Sequence, residues 1–346
     1  MKTDSSRQKN TDPPSIPPDG HLMQLLMGKV TTYTISAMAR LRIADHMSSE
    51  LRPIREIAAA AGVHADLLFR VLRVLASLGV VVQQADSFAL TQVGMLLQSD
   101  VPNSLRDMAT MMGDPWTAHS YQRIYQTLQS GTDGVTLAYG KNAFEFFKDD
   151  PDQGANFHAA MTSFSKSIIA TLLESYDFTG ISNIADVGGG RGVLLASILH
   201  RYPTMHGTLF DLPEVLLDAR IEVADFHGRL VLKSGSFFET APDNCDAYLL
   251  KHIIHDWDDE ACRQILSNIR QNMIPSGRLI LIEMIVPEEP SPAPAKFLDI
   301  EMMANTVGGK ERTREEFESL LASARFRLTR IIATKSPVCV IEAVMA

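Results

Sequence analysis

Residues 181–192 read ISNIADVGGGRG: a short apolar run, an acidic side chain at 186, then glycine at four of the next five positions from 188. This pattern predicts a strand that ends in a turn where a ligand can approach the backbone closely, because glycine carries no Cβ. The residues that follow, GVLLASILHRY, have helical spacing. Further along, HGTLFDLPEV, RLVLKSGSF, DAYLLKHII and GRLILIEMIV predict strands, and EACRQILSNIRQNM predicts a helix. Strands that alternate with helices place residues 177–346 in the α/β class, as a doubly wound and mostly parallel sheet. The last segments, TREEFESLLASARF, RLTRIIATK and VCVIEAVMA, add a helix and an antiparallel hairpin at one edge. In such a sheet the ligand sits beyond the carboxyl ends of the strands, where strand order reverses.

Upstream the texture is helical. Residues 1–20 are polar and proline-rich, which predicts a mobile tail. Residues 21–104 form an N-terminal unit, in which PIREIAAAAGVHADLLFRVLRVLASLGVV reads as helix, turn, helix, and VVVQQADSFALTQVG as two short strands around a polar turn. Together these form a winged-helix pattern, which serves either DNA binding or helical packing and dimerisation. Residues 21–100 hold seven basic and six acidic side chains, and only Arg70 and Arg73 are positive on the helix that would enter a groove. Phosphate contact needs more positive charge than this, so dimerisation is the expectation. Residues 105–176 continue as broken helices rich in Met, Phe and Tyr, a connecting segment whose aromatics belong to a core or line a pocket.

The whole chain, 346 residues with 45% apolar and 21% charged residues, is long enough for two domains and too apolar for a disordered protein. A formal charge of -9 opposes nucleic-acid binding. Three cysteines without ligand spacing, Cys245, Cys262 and Cys339, suit free thiols in a reducing compartment. No apolar run is long enough to cross a bilayer and no signal peptide is evident, so a soluble, cytoplasmic protein without a membrane partner is expected.

The glycine-rich turn is spaced G-G-G-x-G rather than G-x-G-x-x-G, and Asp186 stands two residues before its first glycine. A carboxylate there repels a pyrophosphate and attracts an ammonium or a sulfonium. Asp211 in FDLPEV ends the next strand, where a carboxylate accepts ribose hydroxyls. The pair favours S-adenosyl-L-methionine over a dinucleotide.

With DVGGGRG (186–192), FDLPEV (210–215), LLKHIIHDWDDE (249–260), GRLILIEMIVPE (277–288) and GGKERTREEF (308–317) in this order, the chain resembles the plant-type, metal-independent small-molecule O-methyltransferases, in their bacterial secondary-metabolite branch. The resemblance implies a Rossmann-like methyltransferase domain behind an N-terminal winged-helix domain that forms a homodimer. It implies that Gly188 and Gly190 lie along the methionine part of the cofactor, that Asp211 and Leu212 hold the ribose, that Ser236 and Phe237 flank the adenine, and that Lys251 touches the cofactor. Many members carry Asp where this chain has Ser236, and a hydroxyl accepts a hydrogen bond from the adenine amino group more weakly than a carboxylate does.

A phenol with a pKa near 10 needs a base of about 7 to take its proton, which histidine supplies. His255 of the HDW motif is that candidate, whereas His252, inside an apolar run, is read as packed core. The resemblance sets Glu283 and Glu311 beside the base; for Glu311 a surface ion pair with Lys310 or Arg312 is the alternative. It also draws the walls of an aromatic acceptor pocket from Asn156, Phe157, Met161 and Phe164 on one helix and from Met302, Met303 and Asn305 on another, with the Tyr121–Tyr125 region nearby. No His/Asp/Glu group has metal-ligand spacing along the sequence, so no metal is expected. Two alternatives stay open: a cofactor-retaining relative with changed chemistry (hydroxylation, decarboxylation or a pericyclic reaction), and a winged-helix regulator that binds DNA.

Overall fold

A computed structural model describes residues 17–217, 219 and 223–346. Residues 1–16 of the expected tail lie outside the described residues; residue 18 already begins a helix, Pro18–Leu26, ahead of the boundary expected at 21.

The N-terminal unit is a winged helix. Helix Ile54–Ala61 ends at Gly62, whose φ of +69° is the left-handed conformation that glycine adopts without a Cβ penalty. Helix Ala65–Ser77 follows and buries Leu68, Leu72 and Leu75, three- and four-residue steps along one stripe, against Ile57 and Phe88. The wing is β1 (Arg52–Pro53), β2 (Val81–Gln84) and β3 (Ser87–Leu90), antiparallel in the order β1-β3-β2. Helices Pro18–Leu26 and Gly28–Arg40 leave Leu22, Leu25, Leu26, Val30 and Tyr33 exposed, an apolar strip suited to a second protein surface.

The C-terminal half is a seven-stranded sheet of order β6-β5-β4-β7-β8-β10-β9. Its strands are β4 (Asn183–Val187), β5 (His206–Asp211), β6 (Leu230–Ser234), β7 (Cys245–Lys251), β8 (Met273–Glu283), β9 (Phe326–Ala333) and β10 (Cys339–Met345). The first five run parallel, while β10 pairs antiparallel with both β8 and β9. The closing hairpin therefore inserts its second strand inward and leaves β9 at the edge. Period-two alternation sends Ile184, Leu209, Leu249 and Ile280 to one face, beneath helices Val193–Arg201 and Pro151–Ser175. Ala185, Phe210, Leu250 and Leu281 go to the other face, beneath helices Asp259–Asn272 and Arg314–Ser323. Burial on both faces explains why these strands read as continuous apolar runs.

Order reverses at β4, which lies between β5 and β7, with Asp186 opposite Leu209 and Leu249. The ends of β4, β5, β7 and β8 consequently open onto one crevice that collects Gly188, Asp211, Lys251 and Glu283. The connecting segment belongs to both halves. Helix Arg106–Met111 packs against both Gly28–Arg40 and Pro151–Ser175, and Met111, Trp116, Phe147 and Ala160 form a small core of their own.

Candidate active site

The glycine turn is shaped by what lies behind it. A side chain at Gly188, where φ is +69°, would put a Cβ 2.5 Å from Ile253 Cδ1, so the position admits only glycine without displacement. Asp211 is aimed by two backbone donors: Gly190 N–H donates to its Oδ2 at 2.8 Å and Leu212 N–H to its Oδ1 at 2.7 Å. Asp186 is buried, and its Oδ2 has no partner among the described residues. Burial pushes the Asp186 carboxyl up to about 7, partly offset by the Lys251 ammonium. Burial in turn pushes Lys251 below the usual lysine range. A buried carboxyl with one unpartnered oxygen and a second one pinned by N–H groups fit a cationic, hydroxyl-bearing ligand such as S-adenosylmethionine. Ser236 and Phe237 lie just past β6, in the turn that follows it, with Phe238 N–H donating to Ser236 Oγ at 3.3 Å.

An aromatic cluster that the sequence did not announce closes this side of the crevice. Trp257 of the HDW motif packs edge-on against Phe238 and stacks on Phe144, 5.6 Å between ring centres. Phe144 lies on helix Ala143–Asp149 of the connecting segment, whose Lys148 also pairs with Glu214 at 2.9 Å.

The candidate base follows β7. His255 lies in a single 3-10 turn, Ile254–Asp256, and is buried. Its Nδ1 is 2.6 Å from Glu311 Oε1 and 3.6 Å from Glu283 Oε2. Glu283 ends β8, and its Oε1 accepts from the backbone N–H groups of Ile253 and Ile254 at 3.2 and 2.9 Å. Asp256, absent from the residues expected from sequence, lies 3.5 Å from His255 Nε2 through its Oδ1. Burial alone would push the imidazole down; Glu283, Asp256 and Glu311 outweigh it and raise His255 to about 9. Burial raises the Glu283 carboxyl to about 7 and that of Asp256 to about 6, each held back by His255.

The Glu311 loop is tied to the base loop from behind. Lys310 N–H donates to the His255 carbonyl at 2.9 Å, and a Cβ at Gly309 would fall 2.6 Å from that same oxygen. Arg312, fully buried, donates to the carbonyls of Ile254 at 2.8 Å and Trp257 at 2.9 Å, and to Asp259 Oδ1 at 2.7 Å. Glu311 thus makes no ion pair with its chain neighbours: Lys310 pairs with Asp259 and Glu316, and Arg312 with Asp259.

The expected pocket residues separate into groups. Phe164 faces the base region, its ring centre 5.3 Å from that of His252. Phe157 packs on Trp116 and Phe147, and Met161 rests against the same small core. Met302 and Met303 are half-buried on helix Pro294–Asn305. Asn305 is engaged at both ends within the protein: its Oδ1 accepts from Ser120 Oγ at 2.6 Å and its Nδ2 donates to Glu301 Oε2 at 2.9 Å. Asn156 places its Nδ2 3.5 Å from the buried Asp114, which pairs with Arg40 of the N-terminal unit. His252 is buried, as the packed-core reading expects, and neither ring nitrogen has a hydrogen-bond partner among the described residues. It lies 3.6 Å from Glu283 Oε2, and together His252, His255 and Glu283 bring three ligand atoms within 4.8 Å of one another. The absence of metal-ligand spacing thus holds along the sequence only.

A glycine-lined crevice at the switch point of a parallel sheet, next to a histidine held by carboxylates, defines a nucleotide-cofactor-dependent transferase site. Residues 121–327 match the family model of the O-methyltransferase domain and residues 23–100 that of the O-methyltransferase dimerisation domain, so the chain belongs to the O-methyltransferase family. It is 33% identical over 332 residues to phenazine O-methyltransferase PhzM of Lysobacter antibioticus, covering 95% of this chain and 97% of that one. It is 31% identical over 335 residues to 8-amino-8-demethylriboflavin N,N-dimethyltransferase of Streptomyces davaonensis, covering 94% of this chain and 95% of that one. The crystal structure of CalO1, a methyltransferase in calicheamicin biosynthesis in its SAH-bound form, superposes with a TM-score of 0.85 at 33% identity, covering 94% of this chain and 97% of that one. The protein is an O-methyltransferase of a family that uses S-adenosylmethionine. Among the described residues no helix is long and apolar enough to cross a membrane.

Proposed function

We propose that this O-methyltransferase methylates a hydroxyl, phenolic in character, on an aromatic small molecule, with His255 as the general base. The observation that carries the proposal is the arrangement of His255: Nδ1 faces Glu311 at 2.6 Å and Glu283 at 3.6 Å, while Nε2, with only Asp256 Oδ1 near it at 3.5 Å among the described carboxylates, is the nitrogen that would serve a substrate. S-adenosylmethionine, when bound, supplies a methyl group on a sulfonium, ready for displacement. Asp186, Gly188, Gly190, Asp211, Leu212, Ser236, Phe237 and Lys251 would hold it. His255 Nε2 would take the proton of the acceptor hydroxyl, and the Glu311 and Glu283 carboxylates would balance the charge that the imidazolium keeps. With an affinity for protons near 9, the ring is close in strength to a phenol; a cationic cofactor beside it opposes a second positive charge and brings that value down. Proton removal by His255 needs no metal.

Aromatic acceptors are favoured by Phe164 next to the base region and by the half-buried Met302 and Met303. The exposed apolar strip on the first two helices supports a homodimer through the N-terminal unit. The weakly charged helix Ala65–Ser77 argues against DNA as a partner.

The test is transfer of label from S-adenosylmethionine to a panel of phenols, compared with matched anilines and thiols. His255→Ala should lose about 10²–10⁴-fold in kcat toward phenols while still binding S-adenosylhomocysteine. Undiminished transfer in that variant rules out the general-base role, and a product other than a methyl ether would point to a changed chemistry on the same scaffold.

A further inference from the structure

His252 is the buried polar group that the transfer reaction leaves without a task. It follows β7 directly, at a φ of +53°, a left-handed conformation that costs a residue with a Cβ and is kept where the surroundings enforce it. Its backbone is fixed by donation to the Ile282 carbonyl at 3.1 Å, and its ring is fixed between Phe164 and His255, with ring centres 5.3 and 4.9 Å away. Leaving both nitrogens of a buried imidazole unpaired costs desolvation energy. Two neighbouring oxygens share the same condition, since Glu283 Oε2 and Glu311 Oε2 also lack partners. Orphaned donors and acceptors thus converge beside an imidazole that already faces carboxylates.

The separations have a chemical meaning. His252 Nδ1 and His255 Nδ1 each lie 3.6 Å from Glu283 Oε2, and the three residues bring one ligand atom each within 4.8 Å of the others. Tetrahedral zinc with bonds of about 2.0–2.1 Å spaces its ligands by roughly 3.4 Å, so small side-chain adjustments close the set. Two imidazoles and a carboxylate are borderline donors that select zinc-like ions over calcium or magnesium. Charge points the same way, because Glu283, Glu311 and Asp256 all lie within 3.6 Å of His255. Arg312 is committed to the backbone and to Asp259 and does not serve this cluster.

We propose that His252, His255 and Glu283 form a binding site for a borderline divalent cation, zinc in character, which shuts off the enzyme by occupying the inner nitrogen of the base. The ion takes the place of the Nδ1 proton, breaks the hydrogen bond to Glu311, and leaves Glu311 free to become a fourth ligand. With the metal on Nδ1 the remaining ring proton resides on Nε2, so the lone pair that would receive the substrate proton is gone. Binding releases protons and tightens as pH rises. The inhibitory consequence rests on His255 being the base; the binding itself does not.

The experiment uses the full chain, freed of metal by a chelator. Zinc binding is followed by calorimetry, cobalt by its visible spectrum, and methyl transfer separately. The expected results are one zinc per chain, a cobalt spectrum of nitrogen and oxygen ligands without a thiolate band, and at least a tenfold loss of zinc affinity in both His252→Asn and Glu283→Gln. Zinc inhibition, read against each variant's own zinc-free rate, should weaken by the same factor. Zinc binding unchanged in both variants, or a thiolate-type cobalt spectrum, overturns the site. His252→Phe is the second variant should His252→Asn fail to fold, with thermal unfolding as the check. Stoichiometric, His252-dependent binding in a protein that fails to methylate phenols would leave the site standing and remove the proposed function instead.

Discussion

Glu311 Oε1 lies 2.6 Å from His255 Nδ1 although 56 positions separate the two in the chain. That contact joins the loop after β7 to the loop before helix Arg314–Ser323, and in the proposed reaction it holds the base. The ring stands at about 9 without cofactor and is brought down by a bound sulfonium, so the acidic limb of kcat/KM for a phenol in chelator-treated protein should lie below 9 and fall further as S-adenosylmethionine approaches saturation. Glu311→Gln removes a negative charge that favours the imidazolium. The limb should then move to lower pH by about 1–3 units. A rate profile from pH 6 to 10 for both proteins checks this, and an unmoved limb would separate the observed titration from His255.

The same protonation bears on stability. His255 is raised from 6.5 to about 9 in the fold, so the folded state holds its proton more tightly than the unfolded chain. The stabilisation is complete below about 6.5 and is lost as pH rises through about 9. Denaturant unfolding across that window should show falling stability, and His255→Gln should flatten the slope.

Arg312 should matter more to folding than its position beside the base suggests. It is fully buried and bridges the carbonyls of Ile254 and Trp257 to Asp259. Arg312→Met leaves these acceptors without their donor and should cost about 3–5 kcal/mol, measured by chemical denaturation. Transfer should fall with it, because the loops carrying His255 and Glu311 lose their common anchor.

Asn305 offers a contrast with a true substrate contact. Both ends of its amide are used within the protein, on Ser120 and Glu301. Asn305→Ala should therefore cost about 1–3 kcal/mol of stability. The order of KM values across differently substituted phenols should stay the same, whereas a reordering would show that the amide turns toward the acceptor.

Ser236 tests the adenine end of the cofactor. Ser236→Asp places a carboxylate at a position whose oxygen already accepts from Phe238 N–H. A charged acceptor exceeds a neutral one by about 1 kcal/mol, so S-adenosylhomocysteine should bind roughly fivefold tighter in calorimetry. Equal or weaker binding would place Ser236 away from the adenine.

The sequence by itself determined what depends on neighbours in the chain. The stripe of Leu68, Leu72 and Leu75, the apolar runs of β4 to β8 and the glycine turn after Asp186 are local patterns, and local backbone geometry converts each into a helix, a strand or a turn. Motif order then carried the family and the choice of His255. Tertiary structure decided where side chains meet, because direction depends on small rotations and on segments brought together from far apart. Glu311 turned from its charged neighbours to His255 because the buried Arg312 was already committed to the backbone and Asp259. Asn305 lay on the expected helix but met Ser120 first, since the Pro115–Gln122 helix packs against it. His252, three residues before His255, left the apolar run because its left-handed backbone turned the ring toward Glu283 instead of into the sheet's core. Asp256 was visible as a letter of the HDW motif, but only the turn after β7 set it 3.5 Å from His255 Nε2.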